Sequence, residues 1–270
     1  MTDSHFSPHE SPPDSGPPPL ITARPVIIPA APPPPRFGDA GSPGRAATEL
    51  LILLGVLLLA QAVSVLLLHT AGVRDVRWVN VLGSVVVGAI LLIAVGLILV
   101  RAGRPPRTIG FRSDFLLVDA VLGVGLTLLV LCAFTAVAVL LAILAPQLYA
   151  RLEQTPKAIQ AAFPRMRPAW LLLLSAWVAV FEETLFRGFL LTRIHAIVRA
   201  WPPSVLLGAA VFALPHFYEG SVAMAMIFLL GTVMGIVFVW RKSLVPVIVL
   251  HFVFNSIELM ALYISSPAWT

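Results

Sequence analysis

Charge is scarce in this chain. Only 11% of its 270 residues are Asp, Glu, Lys or Arg, while 59% are hydrophobic. Soluble domains run at about 25% charged and about 45–50% apolar. A soluble fold of this size would leave much apolar surface in water, so an ordinary globule is excluded. Disorder throughout is excluded by the same apolar mass. Cysteine is almost absent. Cys132 stands alone inside an apolar run, which rules out an intrachain disulfide and a cysteine-rich zinc site. Basic patches with interleaved aromatics are missing. The net charge of +5 is spread over short loops, so no nucleic-acid partner is expected. No internal repeat is visible, which speaks against an inverted-repeat transporter.

What the chain has in quantity is long apolar runs, with a mean hydropathy of +0.94. They cover residues 49–69, 78–100, 115–144, 169–191, 204–217, 221–240 and 244–264. A spanning helix needs roughly 20 residues, so all but the fifth can cross a bilayer. The fifth is short and is expected to end inside the protein. The runs are continuous rather than alternating, and in lipid only helices or closed barrels satisfy the backbone. The fold predicted is all-α: a polytopic transmembrane bundle of about seven spans, six to eight as the range. The lipid bilayer is its first partner.

Residues 1–46 are different material. They hold 13 of the 24 prolines, including Pro32 to Pro35. Such a stretch cannot offset its own ordering entropy, so an extended, polyproline-rich tail is expected, acting as a plain tether. It does not read as a signal peptide, because the first apolar run starts only near Leu50. Residues 47–270 form the membrane domain. Basic residues set its expected orientation. Eleven lie in segments on the tail's side and six on the other, which favours a cytoplasmic tail and an outside C-terminus. Trp78, Trp170, Trp201, Trp240 and Trp269 sit at run ends, as an interfacial belt would have them. Arginine outnumbers lysine 16 to 2, as in GC-rich genomes, which fits a bacterial inner membrane.

The informative residues are the polar ones inside the runs, because ionisable groups in hydrocarbon are costly and mark function. The fourth run reads Phe181-Glu182-Glu183-Thr184-Leu185-Phe186-Arg187. Glu183 and Arg187 are four apart and can pair on one helix face. Glu182 points about 100° away, free to face a cavity. The fifth run carries Phe212-x-x-x-His216 and the seventh His251-x-x-x-Asn255, with Glu258 on the same stripe. Helical rise puts Glu182, His216 and His251 at depths of about 16, 20 and 14 Å from the inner ends of their runs. Three spans thus bring ionisable groups to one layer.

A carboxylate removed from water is a stronger base and can activate a water against a peptide carbonyl. Donors from His and Asn could then stabilise the oxyanion. No serine or cysteine is placed as a nucleophile, so covalent catalysis is not expected. Glu182, His216 and His251 could instead hold zinc with its activated water, although the spacing differs from H-E-x-x-H.

The segments Glu182-Glu183-x-x-x-Arg187, Phe212-x-x-x-His216 and His251-x-x-x-Asn255 resemble, in order, the three motifs of the CPBP (Abi) family. That family holds type II CAAX prenyl endopeptidases and bacteriocin-processing proteins. The resemblance covers about residues 165–260, with weaker support from Ile109-Gly110-Phe111. It implies an intramembrane endopeptidase acting on a membrane-associated protein or peptide. In its glutamate-based form, Glu182 activates water with His216 supporting it. His251 and Asn255 bind the oxyanion, while Glu183 and Arg187 brace the site. No cofactor is then needed; zinc is the alternative. Two other classes remain open at this point: a non-catalytic immunity or scaffold protein on the same fold, and a proton-coupled transporter. Gly231-x-x-x-Gly235 reads as close helix packing. Asp119, Glu49, His69 and His195 are expected at the membrane interface, and Cys132 in packing. Glu258 is left between a partner of Asn255 or His251 and a snorkelling end residue.

Overall fold

The computed structural model describes residues 36–112 and 114–265. The expected tail conformation over residues 1–35, and Trp269, lie outside them. The helices are α1 (Pro43–Thr70), α2 (Val76–Arg101), α3 (Leu116–Leu144), α4 (Pro146–Leu152), α5 (Thr155–Ala162), α6 (Pro168–Glu183), α7 (Thr192–Val198), α8 (Trp201–Ala213), α9 (Ser221–Arg241) and α10 (Val245–Ser265). A π-helix, Thr184–Leu191, joins α6 to α7, and a 3-10 turn, Leu214–Glu219, extends α8. No strand occurs among the described residues. The protein is an all-α, multi-pass membrane bundle. Six helices are long and apolar enough to cross, with α6, the π segment and α7 forming one of them. The fifth run gives only the 13 residues of α8.

Local chemistry starts and stops these helices. Ser42 caps α1, its Oγ accepting from Arg45 N, and Pro43 takes the first helical position, where its missing N–H is no loss. Asp75 Oδ1 accepts from Arg77 N at the start of α2. Prolines also open α6 and α8. Leucine and isoleucine side chains on the outer faces of α1 and α3, such as Leu51, Leu58, Leu66, Leu117 and Ile143, stay exposed, as lipid contact requires.

Helices in lipid gain little hydrophobic drive from each other, so close packing of small residues matters more. α10 packs on α3 and α6, and α8 on α9. A Cβ at Gly123 of α3 would stand 2.6 Å from Pro246 O, so only glycine lets α10 approach there. Thr127 Oγ donates to Gly123 O and Leu250 O, pinning the turn that carries His251. Gly231 and Gly235 meet Ala209, Phe212 and Val205 of α8, as the expected small-residue packing requires.

The tail end of the bundle is tied by polar contacts. Leu244 N donates to Gly110 O, and Gly110 has φ of 92°, a conformation that L side chains rarely adopt. Asp119 is buried and accepts from Arg241 Nη2 at 2.7 Å, rather than lying free at the interface. Glu49 is also buried, with three arginines on its carboxylate: Arg45, Arg104 and Arg193. These carboxylates follow helix starts, as expected, and each is buried in an ion pair. Ordered contact also begins before position 47. Phe37 stacks between Trp201 and Phe238, and Gly38 N donates to Thr108 O. Cys132 is exposed on the lipid-facing side of α3 and not packed inside. His69 is exposed beside Arg74, and His195 stacks on Trp201 with ring centroids 3.6 Å apart.

At the far end, α5 lies across the bundle. Ile159 turns inward against Leu171, Leu174 and Leu262. Thr155 Oγ donates to Glu219 O, and Asn80 Nδ2 donates to Ala162 O. α5 therefore roofs the space between α2, α6 and α10.

Candidate active site

Under that roof is a cavity of about 760 Å³. Glu182, His216, His251 and Asn255 all line it, from three different stretches of chain. The three segments singled out by their buried polar groups therefore meet in one place.

The two adjacent glutamates have different surroundings. Glu183 is fully buried. Its Oε1 accepts from Arg187 Nη1 and from His251 Nδ1, each at 2.7 Å. Glu182 faces the cavity with 18% of its side chain accessible, and its Oε2 lies 3.9 Å from His251 Nε2. The pairing of Glu183 with Arg187 matches the four-residue spacing. The chain after it departs from an α-helix, however. Thr184–Leu191 is π-helical, a local winding often found at functional sites. Thr184 Oγ donates to Val180 O and Thr192 Oγ to Gly188 O, so hydroxyls take up carbonyls at both ends of it.

The histidine tautomers follow from their partners. A carbonyl only accepts, so His216 Nδ1, 3.1 Å from Phe212 O, carries a proton. Its Nε2 is then the lone-pair nitrogen when the ring is neutral. The carboxylate paired with Arg187 also only accepts, so His251 Nδ1 donates to Glu183. A neutral His251 therefore has an Nε2 that accepts; it can donate to an oxyanion only as the imidazolium, for which Glu183 is the ready counter-ion.

Phe212 organises the other side. Arg187 lies over its ring, 4.0 Å from the centroid, and His216 and His251 pack on it at 5.4 and 6.0 Å. The guanidinium is thus held by Glu183, this ring and Met234 Sδ, and stays out of the cavity. Nothing marked Phe212 among the aromatics of its run except its place four residues before His216. Ser175 and Glu258 also line the cavity. Ser175 Oγ has no hydrogen-bond partner, so it is not activated by a histidine as a nucleophile would be.

Among the described residues, no three His, Cys, Asp or Glu side chains are arranged to hold a metal ion.

A buried acid–base centre between membrane helices, with a braced glutamate–histidine pair and a free carboxylate, defines the class of site. Residues 164–257, about a third of the chain, match the family model described as type II CAAX prenyl endopeptidase Rce1-like. Over that stretch the chain is similar to the CAAX-protease-like endopeptidases. No curated protein and no solved structure matches the chain.

Proposed function

We propose that this protein hydrolyses a peptide bond in a membrane-associated protein or peptide, with Glu182 activating water and no metal taking part. The observation that carries the proposal is the division of labour between the glutamates: Glu183 is saturated by Arg187 and His251, while Glu182 is left facing the cavity. In the reaction, Glu182 takes a proton from water and the hydroxide attacks the peptide carbonyl carbon. The carbonyl oxygen becomes an oxyanion, which Asn255 Nδ2–H and the imidazolium Nε2–H of His251 stabilise. The C–N bond then breaks as the proton passes to the leaving amine, with His216 available to relay it. Water is consumed and a carboxylic acid and an amine are released.

The bacterial plasma membrane is the setting we propose, on the arginine bias, with the tail on the cytoplasmic side. A non-catalytic immunity or scaffold role is the second reading, since a retained site need not be used; a relay of protons through the membrane is disfavoured because the tail-end carboxylates Glu49 and Asp119 are held in arginine pairs. The test is cleavage of a membrane-peptide panel in liposomes. Wild type is expected to cut and to keep cutting after exhaustive chelation. Glu182→Gln, which keeps the shape and loses the base, is expected to fold and not to cut. Loss of activity on chelation with recovery on zinc addition would replace the metal-free mechanism. Equal activity of the Gln variant would remove Glu182 from the chemistry.

A further inference from the structure

Arg187 is the cation behind the site, and three groups hold it. Nη1 donates to Glu183 Oε1 at 2.7 Å, and Cζ sits over the Phe212 ring. Nη2 donates to Met234 Sδ at 3.6 Å, and among the described residues that sulfur is its sole hydrogen-bond acceptor. Met234 is fully buried on α9 and does not line the cavity. In the sequence it is one methionine of six, inside an apolar run, with nothing to set it apart.

Close helix approach brings the sulfur there. A Cβ at Gly231 would stand 3.1 Å from the Phe212 ring and 3.4 Å from Ala209, and one at Gly235 would stand 2.9 Å from Val205. With no side chain at either position, α9 lies hard against α8, and Met234, between the two glycines, reaches the guanidinium. A thioether is polarisable and a weak acceptor. That chemistry suits the position. A carboxylate here would draw the guanidinium off Glu183, and an alkyl chain would leave a buried N–H unpaired, at a cost. Sulfur fixes the tilt of the guanidinium and leaves its charge to Glu183.

We infer that Met234 is a positioning residue for the reaction: its sulfur orients Arg187, and through Arg187 the Glu183–His251 pair. The inference rests on the protease reading and adds α9 to the frame of that site. The links run from Met234 Sδ to Arg187 Nη2, from Arg187 Nη1 to Glu183 Oε1, and from Glu183 Oε1 to His251 Nδ1. His251 Nε2 then faces Glu182 Oε2 across 3.9 Å. A guanidinium released at Nη2 is free to swing, and the carboxylate and imidazole that depend on it turn with it. Met234 touches no substrate. It acts on the aim of the imidazole, and so on turnover more than on affinity.

Two variants of the full chain separate this role from plain packing. Met234→Leu keeps the apolar bulk and removes the acceptor. Met234→Gln keeps the length and an acceptor but puts a polar amide in the core. Packing alone ranks Leu above Gln in every measurement. Positioning splits the measurements. In liposomes with the membrane-peptide panel, Met234→Leu is expected to keep its Tm near that of wild type and to lose kcat roughly tenfold or more, with KM little changed. Met234→Gln is expected to melt lower and to keep kcat per folded molecule within about threefold of wild type. A second readout needs no substrate. In detergent, with isotope-labelled histidine, the Nδ1–H resonance of His251 is assigned by its loss in His251→Gln. It should shift in Met234→Leu and lie close to wild type in Met234→Gln. An unchanged kcat in Met234→Leu, an unmoved resonance in that variant, or Leu above Gln in turnover would overturn the proposal. If Met234→Gln does not fold, Met234→Leu decides by kcat and resonance at unchanged Tm. If wild type cuts no peptide, the protease reading fails, and the resonance alone decides whether Met234 orients the pair.

Discussion

The protein buries two glutamate–arginine clusters, and they are built differently. At the tail end, Glu49 gathers Arg45, Arg104 and Arg193, so cations outnumber carboxylates three to one. Both oxygens are used: Oε1 accepts from Arg45 and Arg104, Oε2 from Arg104 and Arg193. In the middle of the bundle the ratio is reversed. Glu182 and Glu183 share one arginine, and Oε2 of each has no hydrogen-bond partner. A saturated carboxylate surrounded by donors cannot take a proton from water; it ties α1 to α7 and to the turn after α2. An unsaturated one beside a cavity is costly to keep and is where chemistry has room. Composition alone would not separate the two, because each is a Glu near Arg in a helical run.

Replacing the key glutamate in each cluster gives the sharpest contrast. Glu182→Gln should abolish turnover and leave thermal stability near that of wild type. Glu49→Gln should do the reverse. Removing one partner from a buried ionic network costs about 3–5 kcal/mol, because the guanidinium groups are left buried and uncompensated. Its yield and melting temperature should fall, while the activity per folded molecule is kept. If Glu49→Gln instead kept its stability and lost activity, the tail-end cluster would be part of the chemistry and the contrast would collapse.

Within the middle cluster, Asn255 faces the cavity without bracing the buried pair. Asn255→Ala should lower turnover by about 10²–10³, the usual effect of losing one oxyanion donor. Substrate affinity should change little, since that hydrogen bond strengthens mainly in the transition state. A variant that lost affinity and turnover equally would place Asn255 in substrate binding instead.

The tail end can be probed from the other direction. Residues 36–42 pack there, with Phe37 between Trp201 and Phe238. Removing residues 1–35 should leave the melting temperature unchanged. Removing residues 1–40 takes away Phe37 and the Gly38 hydrogen bond and should lower it. Burial of one aromatic ring is worth about 1.5–3 kcal/mol. Equal stability of the two truncations would show that the packed body starts at the helix.

Much of the middle cluster was legible because hydrocarbon makes polar residues conspicuous. Glu182, Glu183, Arg187, His216, His251 and Asn255 stand out of apolar runs, and helical rise alone brings three of them to one layer. The roles were less legible. That His251 bonds Glu183, and so can donate to an oxyanion only as the imidazolium, needs the distance between α6 and α10. Phe212 looks like any phenylalanine until Arg187 lies over it. The π-helix at Thr184–Leu191 has no periodicity of its own to read in eight residues. Glu49 was placed at the interface because two of its three arginines lie 55 and 144 residues away, beyond any local spacing rule. The α5 roof, eight residues long, is too short to register as a run.

The smallest effect concerns the cavity mouth. Glu219 lies on the turn between α8 and α9, outside the spanning helices. Burial, and then the neighbouring Glu258 carboxylate, raise its carboxyl from an ordinary 4.5 to about 7. The folded chain therefore holds a proton there that the unfolded chain releases. For a raised acid the sign is unfavourable at high pH: stability falls as pH climbs from about 4.5 to about 7, then stays level. Glu219→Gln has no proton to lose, so its melting temperature, measured in neutral detergent across this window, should lack that slope. Wild type should match the variant near the acid end and fall below it by a few degrees at neutral pH. A slope identical in wild type and variant would mean that the mouth is as well solvated as open water, and its carboxylates would then hold a cation no better than a surface pair does.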